Sequence, residues 1–356
     1  MNDKATKVRK GEELDSQKLA TYLQKHLGNL SGDLSVEQFP GGFSNLTYLL
    51  KMGASQMVLR RPPFGANIKS AHDMGREFTI LSKLFPVYSK VPKPLLFCED
   101  ENLLGTPFYV MQRVEGVILR SKMPKEMIPD AKTMKGIANA FMDTFTDLHK
   151  VDYQQAGLSD FGRPDGYVER QVSGWTKRYF KAKTDEVPDI EATALWLAKN
   201  IPTASKTALI HNDFKYDNLI LDSNDWTKVL AVLDWEMSTI GDPLMDLGTM
   251  LSYWVNPNDP PFMQQLNLSP TTIPGNPTRS ELIEMYVQKS GNDIQNVTFY
   301  YIFGLFKLAV IIQQIYARYK KGHTKDERFV KLIEGVFGCG MITKQVIQKG
   351  RVDDLF

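Results

Sequence analysis

The stretch Leu209-Ile210-His211-Asn212-Asp213-Phe214-Lys215-Tyr216-Asp217-Asn218-Leu219-Ile220-Leu221, followed by Val232-Leu233-Asp234-Trp235-Glu236, decides how the rest of the chain is read. An apolar run enters a polar loop and a second apolar run leaves it. After a turn at Ser223-Asn224-Asp225, a further strand-like run, Lys228 to Leu233, ends on an acid. Asp and Asn in a loop between strands are common turn formers and caps, and HNDFKYDN by itself does not separate that use from a chemical one. The acid closing the next strand favours chemistry, because a hairpin returns its end toward the loop.

The pattern suits phosphoryl transfer. The transferred group is already electrophilic, so a protein mainly has to position the acceptor hydroxyl and neutralise negative charge. Asp213 can accept the hydroxyl proton. Asn218 offers a neutral oxygen to magnesium (Mg2+) and Asp234 a carboxylate bridging metal and phosphates. Lys215, between base and amide, can reach the moving γ-phosphoryl group. His211 either takes part in proton movement or fixes the loop backbone. Asp242-Pro243 reads as an N-cap followed by Pro at the first helical position, and Asp246 either faces solvent or braces the loop.

Upstream, Leu14, Leu19, Leu23 and Leu27 recur at near-helical intervals and predict a helix ending near Gly28. Val36 to Phe39, Leu46 to Met52 and Gln56 to Arg60 read as strands of an antiparallel meander. Ser70 and Asp73 have capping-box spacing before a helix expected from about Ala71 to Phe85. Leu95 to Cys98 and Phe108 to Met111 complete about five strands around one helix. Gly41, Gly42, Phe43, Ser44 and Asn45 join two of these strands, either as an ordinary hairpin turn or as backbone N–H groups over the ATP phosphates. Arg60 on the third strand and Glu77 on the following helix fit a phosphate clamp, or are unrelated surface charges.

From about Glu115 the periodicity becomes helical: Lys132 to His149, Tyr167 to Lys183, Glu191 to Asn200, Arg279 to Lys289, Val297 to Tyr319 and Asp326 to Gln348. The expected class is α+β, with residues 1–114 as a sheet-rich lobe holding a leading helix, five strands and one helix. Residues 115–356 form a helical lobe carrying the loop and hairpin. Tyr167, Arg170, Trp175 and Tyr179 either line an acceptor pocket or belong to the core.

Composition narrows the partners. Lys and Arg total 43 against 41 Asp and Glu, a net charge of +2, which gives no global field toward nucleic acid or an anionic membrane. The two cysteines, Cys98 and Cys339, lie too far apart in sequence to suggest a metal knuckle or a disulfide framework. The polar N-terminus has no secretory pattern, and a cytoplasmic setting is expected. Lys307, Gln313 and Gln314 interrupt the apolar run Tyr300 to Tyr319, which reads as a buried helix rather than a membrane span.

These residues resemble the aminoglycoside phosphotransferase and choline kinase group of the protein-kinase-like superfamily, over roughly Ser35 to Lys349. The resemblance implies the two-lobe protein-kinase-like fold, ATP and Mg2+ as cofactors, Asp213 as base, and Asn218 and Asp234 as metal ligands. Phe108-Tyr109-Val110-Met111-Gln112-Arg113-Val114-Glu115-Gly116 is similar to the hinge of that group, which implies adenine contacts at the backbone of Gln112 and Val114. VLRRPPFGANIKSAHDMGREFTIL, GYVERQVSGWTKRY and FKLAVIIQQIYARYKKGHTKDERF look closest to kinase-like domains associated with acyl-CoA dehydrogenases, implying a hydroxylated acyl thioester or another small hydroxyl compound as acceptor. Three departures stand out: Arg60 where most such kinases have lysine, Asn212 where glycine is common, and Trp235-Glu236 after the metal acid. The alternative is a catalytically silent nucleotide-binding module (pseudokinase). A protein kinase is disfavoured, because the few residues from Asp234 to Asp242 leave no room for a peptide-docking segment.

Overall fold

Apolar side chains alternate along Leu46–Met52, and this alternation gives the N-terminal sheet two faces with different partners. The computed structural model describes residues 4–40, 45–63, 73–203, 206–265, 268–292, 294–322 and 327–356. It divides into two compact units, Met1–Ile118 with Asn218–Met237, and Leu119–Asp217 with Ser238–Phe356. The hairpin that follows the loop thus groups with the sheet. A bridge pairs Val117 with Leu221, both N–H groups donating at 2.8 Å, and the Val232 N–H donates to the Lys90 carbonyl at 2.9 Å.

In the first unit, helix α1 (Ser16–Leu27) begins at the Asp15 cap and stops at Gly28. Strands β1 (Leu34–Gln38), β2 (Leu46–Met52), β3 (Ser55–Arg61), β4 (Pro94–Cys98) and β5 (Phe108–Gln112) form an antiparallel sheet in the order β1-β2-β3-β5-β4. Leu46, Tyr48, Leu50, Met57, Leu59, Phe108 and Val110 share one face and pack with Leu19 and Leu23 of α1. Helix α2 (Met74–Leu84) covers the other face. Its cap is Asp73, whose carboxylate accepts the Arg76 N–H at 2.9 Å. The helix therefore starts later than the spacing predicts, and Ser70 and Ala71 lie outside the described residues. A four-residue turn of helix, α3 (Glu101–Leu104), links β4 to β5. At the β2–β3 turn Gly53 has φ of +56°, and a Cβ there would lie 2.7 Å from the Ser31 carbonyl oxygen, so glycine is required.

The second unit contains α4 (Ala131–His149), α5 (Tyr167–Ala182), α6 (Pro188–Lys199), α7 (Pro243–Ser252), α8 (Pro261–Gln265), α9 (Arg279–Ser290), α10 (Val297–Lys320) and α11 (Leu332–Lys349). Between them, β6 (Ala208–Ile210) pairs with β9 (Thr239–Gly241), whereas the hairpin of β7 (Leu219–Leu221) and β8 (Val229–Val232) sits in the first unit. The last helix is shorter than the periodicity predicts, because Glu327–Phe329 forms a separate 3-10 turn. Helix α10 packs against α5, α6, α7 and α11. It is the one helix among the described residues long and apolar enough to cross a membrane, and 72% of its most apolar window is buried within the protein.

The α7–α10 crossing is close because both helices present glycine at it. A Cβ on Gly248 would sit 2.1 Å from the Tyr300 carbonyl oxygen, and one on Gly304 would sit 2.1 Å from the Gly248 carbonyl oxygen. Backbone cannot step aside as a side-chain tip can. Gly248→Val is therefore expected to lower the unfolding free energy by at least about 2 kcal/mol through overpacking. Urea unfolding measures this, and an unchanged midpoint would contradict the crossing.

Candidate active site

The polar loop lies after β6 and is held by the helices around it. Asp246 on α7 is fully buried and accepts two consecutive loop amides, the His211 N–H at 2.6 Å and the Asn212 N–H at 2.7 Å. Of the two roles open for Asp246 in the sequence, bracing is the one found. Its carboxylate also meets His149 Nε2 at 3.2 Å, and His149 Nδ1 meets the Tyr286 hydroxyl at 3.0 Å. Burial alone would raise the Asp246 carboxyl, but His149, His211 and the loop amides bring it below its ordinary value.

Asn212 has φ of +65°, in the left-handed region. Asn enters that region more readily than most other side-chain-bearing residues, which accounts for Asn at this position. The conformation is fixed from three directions. Asp246 takes the N–H, Lys307 of α10 donates to the carbonyl at 2.7 Å, and Asn212 Nδ2 donates to the Tyr167 hydroxyl at 3.2 Å.

Asp213 follows, with its carboxylate gripped by Lys215, whose Nζ lies 3.0 Å from Oδ1 and 2.8 Å from Oδ2. Burial would raise this carboxyl; Lys215, with smaller help from His211 and Tyr253, holds it below the usual value, so it is ionised at neutral pH. His211 is fully buried, and its Nδ1 accepts the Asp213 N–H at 3.3 Å. That contact fixes the loop backbone, one of the two roles open to His211 from the sequence.

The first unit holds the other group of predicted residues. Arg60 lies opposite Tyr109 in the β3–β5 register and projects to the α2 side. Its guanidinium donates to Glu77 Oε1 at 2.7 Å and to Asp234 Oδ1 at 2.9 Å, with Glu236 at 4.0 Å. A planar fork can reach two carboxylates at once with fixed geometry, which a single ammonium does less well. Burial pushes the Glu77 carboxyl above its ordinary value despite Arg60. Among the described residues Arg60 Nε is buried without a hydrogen-bond partner, whereas the Tyr109 hydroxyl and the Trp235 N–H lie close enough to Glu77 to offset part of the effect of burial on its carboxyl.

Asn218 and Asp234 flank the same end of the hairpin. Leu219 pairs with Val232, and the Leu233 N–H donates to the Asn218 carbonyl at 2.8 Å. Asp234 has φ of +66°, which turns its side chain out of the strand direction. The Trp235 that follows is buried and donates Nε1–H to the Val232 carbonyl at 2.9 Å, and Asn45 Nδ2 donates to Glu236 Oε2 at 2.8 Å. Gly41, Gly42, Phe43 and Ser44 lie outside the described residues. At the hinge-like segment, the Gln112 N–H is taken by the Lys93 carbonyl at 2.8 Å, whereas Val114 has no backbone hydrogen-bond partner among the described residues. No cluster of three His, Cys, Asp or Glu side chains suited to a metal occurs among the described residues.

A family model described as the phosphotransferase enzyme family matches residues 35–279. The chain belongs to that family. Its members are small-molecule kinases, and the fold is kinase-like. Human acyl-CoA dehydrogenase family member 11 is 36% identical over 320 residues, 88% of this chain and 40% of the human protein; the chain thus spans less than half the length of that relative. A solved structure from Ralstonia eutropha, described as a candidate aminoglycoside phosphotransferase, superposes with a TM-score of 0.80 at 28% identity, covering 95% of this chain and 99% of that one. Choline kinase from Cryptosporidium parvum shares the fold, with a TM-score of 0.63 at 12% identity over 94% of this chain and 97% of that one.

Lys307 and Tyr253 escaped the sequence reading as parts of this loop's surroundings. A lone charge inside an otherwise apolar helix was the available signal for Lys307, since a buried ammonium needs a polar partner. Tyr253, at the end of α7, carries no such mark; its ring lies 5.1 Å from Lys215 Nζ. Burial holds the Lys307 ammonium down to about 8, whereas an unfolded lysine titrates near about 10.4. Between those values the unfolded chain binds the additional proton, so this lysine makes stability rise with pH across that window. Lys307→Met removes the contribution. The wild-type minus variant difference in unfolding free energy should therefore increase by about 2 kcal/mol from pH 7.5 to pH 10, as read by urea titration at both values. A constant difference would show that Lys307 is not desolvated.

Proposed function

We propose that this chain is an ATP-dependent phosphotransferase that moves the γ-phosphoryl group to a hydroxyl of a small molecule. The observation that carries this reading is the ionised Asp213 carboxylate, gripped by Lys215, on a loop whose preceding residue is pinned at N–H, carbonyl and side chain. Asp213 orients the acceptor hydroxyl and takes its proton as the new P–O bond forms and the bond from the γ-phosphorus to the bridging oxygen breaks, with ADP as the leaving group. Lys215 sets its positive charge against the oxygens of the moving group. His211 and Asp246 act through the loop backbone, keeping Asp213 aimed.

In the first unit, Arg60 binds phosphate oxygens while Glu77 holds it in place. The Gln112 carbonyl and the Val114 N–H offer one acceptor and one donor to an adenine edge. Asn218 and Asp234 hold magnesium: both are hard oxygen donors at one end of the hairpin, and magnesium typically takes only one or two protein carboxylates, with phosphates and water completing its shell. When bound there, the ion neutralises charge on the triphosphate. Similarity to the acyl-CoA dehydrogenase family members supports a hydroxylated acyl thioester among the acceptors. The described residues keep the acid, lysine, amide and second acid that turnover needs, so nothing favours the silent module.

Asp213→Asn should cut turnover at least about a hundredfold with little change in ATP affinity. Asp234→Ala should abolish magnesium-dependent nucleotide binding. Both are read by ATP consumption across a panel of hydroxylated metabolites together with nucleotide titration. Normal turnover by either variant on a verified acceptor would refute the roles.

A further inference from the structure

The loop acid is surrounded by more positive charge than the loop itself uses. Lys307 is only 3% exposed, yet no carboxylate lies within ion-pair distance of it among the described residues. Its one hydrogen bond goes to the Asn212 carbonyl at 2.7 Å. An ammonium can make three such bonds, and a desolvated cation with one neutral acceptor is costly. Trp175 of α5 joins Lys307 to a further cation, with Arg178 Cζ 4.5 Å from the centre of its ring and Lys307 Nζ 5.8 Å from the same centre. Arg178 is exposed and makes neither a hydrogen bond nor an ion pair among the described residues. Asp213, Asp246, Lys215 and Arg178 are the main charges acting on Lys307. With Lys307 itself, they make three cations against two carboxylates. Both carboxylates are already engaged, Asp213 by Lys215 and Asp246 by two amides and a histidine.

We infer that Trp175, Arg178 and Lys307 form an anion subsite that selects an acceptor carrying a carboxylate or phosphate in addition to its reactive hydroxyl, a conclusion that rests on the phosphotransferase reading. Arg178 makes the contact. Its guanidinium, with Cζ 4.5 Å from the centre of the indole ring, offers its N–H groups to a planar or tetrahedral oxyanion. Lys307 adds a fixed charge behind it, and Trp175 packs against the acceptor's carbon chain. A cationic amino alcohol at this position would meet like charge and be rejected.

The test uses the full chain with magnesium and ATP. Binding is followed by calorimetry and phosphorylation by ATP consumption, with 3-hydroxybutyrate, its neutral amide, 3-hydroxybutyryl-coenzyme A and choline as probes. The anionic probes are expected to bind at least about tenfold more tightly than the amide or choline, the scale of one charge-assisted hydrogen bond. Preference for the free acid identifies a carboxylate subsite, and preference for the coenzyme A ester identifies a phosphate subsite. Arg178→Gln should weaken anion binding about tenfold while leaving ATP affinity unchanged, and Arg178→Lys should restore part of it. Equal binding of the amide or choline, or no anion binding at millimolar concentration, overturns the proposal. So does an Arg178→Gln effect confined to ATP, which would give the cluster to the γ-phosphoryl group instead. If anion binding falls in Arg178→Gln but no probe is phosphorylated, the subsite stands and the phosphotransferase reading does not.

Discussion

The buried Asp246 carboxylate, accepting the amides of His211 and Asn212, is the constraint on which the loop depends. A loop carrying an ionised acid has no sheet ladder to hold it, and a left-handed residue within it is unfavourable unless its surroundings impose it. Asp246 supplies the acceptors for two amides at once. Lys307 supplies the donor for the carbonyl between Asn212 and Asp213. Asp246 and Lys307 sit on α7 and α10, whose backbones approach closely because Gly248 and Gly304 carry no side chain. The geometry of the acid thus traces back to a helix crossing rather than to the loop's own sequence.

The sheet unit solves a different problem by similar means. Arg60, Glu77 and Asp234 come from a strand, a helix and the end of a hairpin, and one guanidinium joins them. Removing any one member would leave a buried or half-buried charge without its partner, which is more costly than the pair is stabilising. The fork reaches both carboxylates at fixed geometry, which a single ammonium does less well. Trp235 and Glu236, directly after Asp234, are used as well. The indole closes back on the Val232 carbonyl, and Glu236 engages Asn45.

Much of this was legible in the residues. Strands β2, β5 and β7 and helices α4, α5, α9 and α10 follow from period and end signals, because apolar alternation and caps act over a few residues. The pair β6 and β9 was not separable from the apolar run before the loop, since three-residue strands carry too little pattern. The start of α2 shifted because Asp73, not an earlier residue, satisfies the first-turn amides. Arg60 with Glu77 was readable only as a pairing of types; which carboxylates the fork would reach was not.

By itself the sequence determined the class of fold, the identity of the acids, amide and cations, and their order along the chain, because those rest on local spacing and side-chain chemistry. Tertiary structure alone decided that Asp246 would clamp two amides, that Lys307 would hold the carbonyl of a left-handed Asn212, and that Lys307 would reach the indole of Trp175. Those contacts join positions separated by tens of residues. Their energies come from desolvation and from the directionality of buried hydrogen bonds, which no stretch of chain possesses until helices pack and exclude water.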